Sequence, residues 1–402
     1  MKWWRGLGFE RRTAILYFLL FALISLSPAA GRHNNYVAFD QGTHAILNGA
    51  NPYPVDWKTA EYPFQPRYLY SPTFGYFFVP FSTYALGVHV GTYFWVMLNF
   101  AVFIYGLWSV MSLLDEETGL LKNRWLVIFL LLMFNEMQGS LTNLQSNGLI
   151  TGLSLTATGL FFRGRWMWAA GLLSVAINFK LYPVALALLL CLSFNLPFIF
   201  ALAGFTSALF LFPALIMGAG ANGAMLHNWL DMLSHEPMHK VYLGLEPTLL
   251  RYGAAAPPAL FSVFTLLNAG LLALASALIF RTDKKLFVPL MVPAVLCFII
   301  LFNKRAESQT FITLAPVYGF MLYAALLAIK SGDQREFKAN IFFLVATYAL
   351  ISWIYSDLSP RPFRKFAWEW HFKTFGAVVA YVWAWRGVVA SLRKKQFLWR
   401  AA

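Results

Sequence analysis

Apolar runs long enough to cross a bilayer recur along the whole chain, and short polar connectors separate them. A membrane-spanning helix needs about 20 mostly apolar residues. The pattern therefore predicts an all-α, polytopic integral membrane protein with about twelve transmembrane helices. These helices are predicted to begin near Thr13, His89, Trp125, Asn147, Trp166, Pro183, Pro197, Pro258, Leu286, Thr310, Ala339 and Thr374.

Basic residues fall mainly in one set of connectors, which predicts the orientation of the helices. Cytoplasmic loops carry an excess of Lys and Arg, so this set is expected on the cytoplasmic side together with both termini. Residues 31–88, 218–257, 303–309 and 356–373 are then expected on the external face of the plasma (inner) membrane. The basic set comprises Lys122, Arg124, Arg163, Arg165, Arg281, Lys284, Lys285, Lys330, Arg335, Lys338 and the tail Arg393–Lys395.

The composition agrees with this assignment, since 59% of the residues are hydrophobic and only 12% are charged. The net charge of +14 does not indicate a nucleic-acid partner, because the basic residues form no stripe. Cys191 and Cys297 lie inside apolar runs, so no disulfide framework is expected. We expect one transmembrane domain over residues 1–402, in which Thr13 to Ala30 is a retained first helix rather than a signal peptide.

A carboxylate and a histidine follow the first apolar run directly. Asp40 and His44 are spaced i, i+4, so they share a face if a short helix begins there. An acid where a membrane helix meets water has a desolvation cost, which favours a functional role over that of a solvated loop residue. The first external loop, residues 31–88, continues with Tyr53 and Arg67 among prolines that prevent a long helix, and is too rich in polar and aromatic residues to be a mere linker.

Polar residues also interrupt the apolar pattern in two later external connectors. Glu136, Gln145 and Asn147 stand at the external ends of two spans, where such residues either line a cavity or bond neighbouring helices. Lys180 lies on the external face, against the charge bias. It is either a snorkelling anchor or a point charge for a phosphate, and we favour the phosphate.

Two further external groups contain basic residues. Arg251 is expected to bind a phosphate bidentately, although an ordinary interfacial arginine is an alternative. The run Asn303 to Phe311 contains Arg305 and Glu307, and Glu307 either pairs with the neighbouring cations or bonds sugar hydroxyls.

Metal and nucleotide chemistry are not indicated. The spacing of His227, His235 and His239 makes a poor zinc site. The chain has no Asp-x-Asp pair, P-loop or dinucleotide glycine fingerprint. We therefore expect no metal and no cofactor. A charged cavity with basic residues and one carboxylate suits a monophosphate leaving group.

These motifs, in this order, resemble glycosyltransferase family 87, whose members are polyprenyl-phosphate-dependent enzymes of the GT-C fold. The resemblance covers about Asp40 to Leu327, with Leu144 and Ser71 as departures from the family pattern. The matching residues are Asp40, His44, Ala45, Leu47, Gly49, Asn51 to Tyr53, Tyr68, Tyr70 to Pro72, Gln145, Asn147, Lys180, Tyr182, Pro183 and Ala306 to Ser308.

The resemblance implies an inverting transfer of a hexose, often mannose, from a polyprenyl monophosphate to a lipid or glycan hydroxyl on the outer face of the membrane. It implies that Asp40 is the general base, which agrees with the carboxylate's position. The expected donor-phosphate ligands are Lys180, Arg251, Arg305 and His44. The expected substrate-binding residues are Tyr53, Arg67, Gln145, Asn147, Glu307 and His235.

Two other functions remain open at this point. A transporter or flippase for a lipid-linked sugar would use the same basic cavity without chemistry, although no internal repeat supports it. A glycan polymerase or ligase would use a similar donor but transfer a longer chain.

Overall fold

The computed structural model describes residues 8–31, 34–53, 68–116, 118–120, 124–235, 242–254 and 257–394. All regular secondary structure within these ranges is helical, which confirms the all-α prediction.

The helices are numbered in chain order. The first nine are α1 Phe9–Ile24, α2 Leu26–Ala30, α3 Asn34–Leu47, α4 Pro72–Phe78, α5 Gly87–Asp115, α6 Arg124–Thr142, α7 Asn147–Phe162, α8 Trp166–Phe179 and α9 Val184–Cys191. The next ten are α10 Leu196–Leu211, α11 Ala214–Met217, α12 Ala219–His235, α13 Leu245–Arg251, α14 Pro258–Thr282, α15 Phe287–Leu301, α16 Ala315–Lys330, α17 Gln334–Tyr348, α18 Arg361–Glu369 and α19 Phe372–Lys394. Short 3₁₀ helices cover Val79–Phe81, Lys284–Leu286 and Ser308–Leu314, and one π turn covers Ala349–Trp353.

Each of the twelve predicted spans begins within a few residues of the first residue of a helix. Fewer of these helices, however, are long enough to cross a bilayer. The described residues contain eight helices long and apolar enough to cross a membrane, and the shorter apolar helices α7 and α8. Helix α9 has only 8 residues, and the span predicted near Ala339 is divided between α17 and a π turn. The first external loop also differs from a simple loop, because α3 and α4 occupy much of it.

The two ends of the bundle differ in chemistry. At the basic end, Arg163, which follows α7, donates to the Ser109 carbonyl of α5 at 2.8 Å. The Phe162 ring contacts the rings of Phe280 and Phe287, and a cavity lined by Leu290, Ser331 and Glu336 adjoins them, so the connectors after α14 and α16 lie at the same end. At the polar end, Gln145 bonds Glu307 and Lys180 bonds Asn147.

The centre of the bundle consists of α15 and α16. The candidate span that includes α16 is 89% buried within the protein, whereas the span that includes α10 is only 11% buried. Such an outer helix presents apolar side chains to the surroundings, as a lipid-facing helix does. Polar residues of the inner helices can therefore bond one another away from lipid.

Close packing of α5 on α7 depends on glycine. A Cβ atom at Gly106 would lie 2.2 Å from the carbonyl oxygen of Gly152, and a Cβ at Gly152 would lie 2.4 Å from the Val102 carbonyl oxygen. Small residues allow helix backbones to approach in this way.

We predict that Gly106→Ala lowers stability by about 1–3 kcal/mol, because the added methyl group forces α5 away from α7. Gly204→Ala on α10 is the matched control, since no atom lies within 4 Å of a Cβ there. Thermal unfolding in one detergent compares the two variants. Equal midpoints would contradict the close contact of α5 and α7.

Candidate functional site

Asp40 lies on α3 and is held by the turn before α5. The Asp40 side chain is 16% exposed. Its Oδ1 accepts from the backbone N–H of Thr83 at 2.7 Å, and the Thr83 hydroxyl lies 2.8 Å from Oδ2. The two donors of Thr83 fix the orientation of the carboxylate, and its remaining lone pairs are free to accept from a substrate hydroxyl.

His44 completes this group, one helical turn after Asp40. The i, i+4 spacing brings His44 Nε2 to 3.6 Å from Asp40 Oδ2 and to 2.8 Å from the Thr83 hydroxyl oxygen. Since the single Thr83 hydroxyl proton is donated to Asp40, Nε2 of His44 carries a proton and donates to Thr83. The His44 ring stacks on Tyr84 at 3.8 Å between centroids, which fixes its plane.

A second group is centred on Lys180, which follows the last residue of α8. Its Nζ donates to Asn147 Oδ1 at 2.9 Å and lies 5.0 Å from the centre of the Tyr70 ring. The Tyr70 hydroxyl in turn shares a 2.6 Å hydrogen bond with Ser146. These contacts join the start of α7, the end of α8 and the segment before α4.

Gln145 and Glu307 extend the Lys180 group. Gln145 Nε2 donates to Glu307 Oε2 at 3.1 Å. Glu307 precedes the 3₁₀ helix Ser308–Leu314, and its backbone N–H donates to the Thr310 hydroxyl at 3.2 Å. This bond across the bundle is neither of the two roles that the sequence left open for Glu307.

The charges of Glu307 and Arg305 both act on Lys180. Burial lowers the pKa of Lys180 to about 8, while Glu307 opposes this shift and Arg305 reinforces it. Arg305 also lies over the Tyr242 ring at 5.5 Å. The Lys180 ammonium group is a point charge to which an anion can bind.

Asn147 provides a further donor in this group. It is only 1% exposed, and its Nδ2 has no hydrogen-bond partner among the described residues. An ammonium group can only donate, so the Asn147 atom that faces Lys180 is the oxygen Oδ1, and Nδ2 is the atom without a partner. A buried amide without an acceptor is costly, so a ligand oxygen at this position would be stabilising.

Aromatic side chains connect the Asp40 and Lys180 groups. Phe39, which precedes Asp40, meets the Tyr70 ring edge-on at 4.9 Å. Tyr53 is 1% exposed, and its hydroxyl donates to the Tyr70 carbonyl oxygen at 2.6 Å. Tyr53 therefore holds the backbone of Tyr70, whose ring contacts Lys180. The described residues show no direct contact between Asp40 and Lys180.

The other predicted site residues lie elsewhere. Arg251 is exposed at the end of α13 and has no bond to the Lys180 group in the part of the chain that the structure describes. Arg67 and the side chain of His235 lie outside the described residues. His227 is exposed on α12, and no group of metal-ligating side chains occurs in the described ranges.

A buried ion pair between Glu136 and Lys373 was missed by sequence reasoning. Lys373 Nζ lies 2.8 Å from Glu136 Oε2, and the two side chains are 4% and 2% exposed. The pair ties α6 to α19 beside a polar cavity of about 220 Å³. Like Lys180, Lys373 is a cation in a connector that the charge pattern assigns to the side with fewer basic residues, and that was the available signal in the sequence. Nothing in the sequence indicated that Thr83 or Ser146 belongs to the site.

The site thus combines an oriented carboxylate with the cation Lys180 at one end of a membrane-type bundle. Residues 68–246, a little under half of the chain, match the model of glycosyltransferase family 87. A search of curated proteins found no match. The predicted resemblance is confirmed over this range, which includes Gln145, Asn147 and Lys180, and the match indicates a glycosyltransferase.

We predict that Thr83→Val lowers the rate of sugar transfer about tenfold by releasing the Asp40 carboxylate, with the KM for the donor unchanged. Thr83→Ser keeps the hydroxyl and is expected to restore the rate. The same assay on Thr265→Val, where the hydroxyl bonds only its own helix, controls for the change itself. A normal rate for Thr83→Val would show that the hydroxyl does not position Asp40.

Proposed function

We propose that this glycosyltransferase transfers a hexose, with mannose as the first choice, from a polyprenyl-phosphate carrier to a lipid or glycan hydroxyl. The observation that carries the proposal is the Lys180 ammonium group beside the buried Asn147 amide, whose Nδ2 has no partner among the described residues, at the polar end of an apolar helix bundle. An ammonium group and an amide donor stabilise the charge that develops on a departing phosphate. No metal is required for this role.

The depth of Lys180 supports a lipid-linked donor. Helix α8 has 14 residues and is therefore about 21 Å long, whereas the hydrocarbon core of a bilayer is about 30 Å thick. With its first residue at the membrane boundary, α8 would end below the opposite surface. A phosphate attached to a membrane lipid can reach such a depth more easily than a free nucleotide.

An apolar groove beside Lys180 supports the same donor. The groove has a volume of about 320 Å³ and lies between α4, α8 and α10. Phe179, which precedes Lys180, lines it. A polyprenyl chain would lie in this groove while its phosphate contacts Lys180 and Asn147. The remaining lining includes Tyr76, Phe77, Val175, Leu209 and Phe212.

Asp40 acts as the general base in this proposal. It takes the proton of the acceptor hydroxyl as the acceptor oxygen forms a bond to the anomeric carbon of the sugar. The bond between that carbon and the phosphate oxygen breaks, and the polyprenyl phosphate leaves with the electron pair. A single displacement of this kind inverts the anomeric configuration. The acceptor reaches Asp40 from the external side of an inner membrane, with both termini in the cytoplasm.

We predict that Asp40→Asn lowers transfer at least a hundredfold, the lower end of the range for a lost general base. Reconstituted protein would receive radiolabelled polyprenyl-phosphoryl mannose, native lipid extract and EDTA. Asp283→Asn at the basic end is the matched control, because asparagine retains the oxygen that caps Lys284–Leu286. Equal transfer by Asp40→Asn and wild type would remove Asp40 from the mechanism. Movement of intact donor across the membrane without a new product would favour a transporter.

We also predict that the KM for the donor rises about tenfold between pH 7 and pH 9. Lys180 has a pKa of about 8, so its cationic form dominates below that pH and is lost above it. The donor phosphodiester keeps its charge over this range, so the change belongs to the protein. Lys180→Met is expected to give a high KM that no longer varies with pH. A constant KM in the wild type would contradict the phosphate role of Lys180.

A further inference from the structure

The polar cavity beside the Glu136–Lys373 pair is distinct from the Lys180 group. It has a volume of about 220 Å³, below the roughly 300–1,000 Å³ of pockets for drug-sized ligands. It opens at the polar end between α6, the start of the 3₁₀ helix Ser308–Leu314 and the segment before α18. A single small polar unit fits such a space.

The charges of this cavity are already balanced. Both oxygens of Glu136 accept from Lys373 Nζ, at 2.9 and 2.8 Å, and the Ser352 hydroxyl donates to Oε1 at 3.2 Å. Asp357, which also lines the cavity, pairs with Arg364. An anion therefore has no unpaired cation to bind among the residues that line this cavity. The cavity selects a neutral, polar ligand.

Neutral hydrogen-bonding groups remain available in the lining. The side-chain amides of Gln138 and Gln309 form no protein hydrogen bond within the described ranges, and both are partly exposed. Each amide offers two donors and one acceptor. Tyr355 also lines the cavity, where its ring lies 5.1 Å from Lys373 Nζ. Amides that can both donate and accept match the hydroxyl groups on the rim of a sugar ring.

Two chain segments place this cavity beside both groups of the candidate site. Ser308 and Gln309 follow Glu307, which bonds Gln145 of the Lys180 group. Asn143 lines the cavity, and its carbonyl oxygen accepts from Asn35 of α3 at 2.6 Å. Asp40 follows Asn35 by five residues on that helix, an axial rise of about 7.5 Å.

We propose that this cavity binds one neutral sugar ring of the acceptor, so that the acceptor is a glycan or a glycolipid. The assignment to the acceptor rests on the proposed function, whereas the binding of a sugar ring does not. The Glu136–Lys373 pair forms one wall of the cavity and holds α6 and α19 together there, while Gln138 and Gln309 contact the ligand.

Saturation-transfer NMR on the purified full-length protein, without donor, tests the binding. The probes are the methyl glycosides of mannose, glucose and galactose, and glycerol 3-phosphate is the anionic control. We expect saturable binding of at least one glycoside in the millimolar range, and at least tenfold weaker binding in Gln138→Leu and Gln309→Leu. Lys180→Met and the matched control Gln334→Leu, exposed at the basic end, are expected to bind normally.

Three outcomes would overturn the proposal that this cavity binds a sugar. No glycoside binding, or binding that Lys180→Met removes and the two cavity variants retain, would contradict it, as would competition by glycerol 3-phosphate. The variants of Gln138 and Gln309 leave the buried ion pair intact, so they avoid the cost of an unpaired buried charge. Glycoside binding in a wild type that transfers no sugar would refute the proposed function and leave the cavity's ligand in place.

Discussion

The partial burial of the Lys180 ammonium group is the constraint on which the rest of the candidate site depends. A desolvated cation is costly unless other groups compensate for the lost water. Asn147 and the Tyr70 ring provide direct contacts, and Glu307 provides a nearby negative charge. Asn147 Nδ2 has no partner among the described residues and remains available to a ligand. A buried cation beside an available amide donor distinguishes the Lys180 group from the neutral cavity a few residues away.

Two connectors contribute residues both to the Lys180 group and to the neutral cavity. The segment 138–147 provides Gln138 and Asn143 to the neutral cavity and Asn147 to the Lys180 group. The segment 303–309 is shared in the same way, with Glu307 on one side and Gln309 on the other. A change in either connector would therefore alter both the Lys180 group and the neutral cavity, as expected for a reaction in which two substrates must meet.

The apolar runs were sufficient to predict where the long helices begin, because the length and composition of a span are set by the bilayer that it crosses. The order of polar motifs likewise placed Gln145, Asn147, Lys180 and Glu307 on one face, and the structure brings them together. Pairings over long sequence separations could not be predicted: Thr83 holds Asp40 across 43 residues and Lys373 reaches Glu136 across 237. Eight helices of the described residues have the length and apolar composition of a span, fewer than the twelve predicted starts, because helices enclosed by protein, such as α7, need not have the length of a lipid-exposed span.

The central claim is that Lys180 binds the phosphate of a lipid carrier. Its most direct test is a cryo-electron microscopy structure of the protein in a lipid nanodisc with a polyprenyl monophosphate. The account predicts a phosphate oxygen about 2.8 Å from Lys180 Nζ, and a lipid chain in the groove between α4, α8 and α10. Phosphate density against Lys373, or at exposed Arg251 with Lys180 still bonded only to protein, would contradict it.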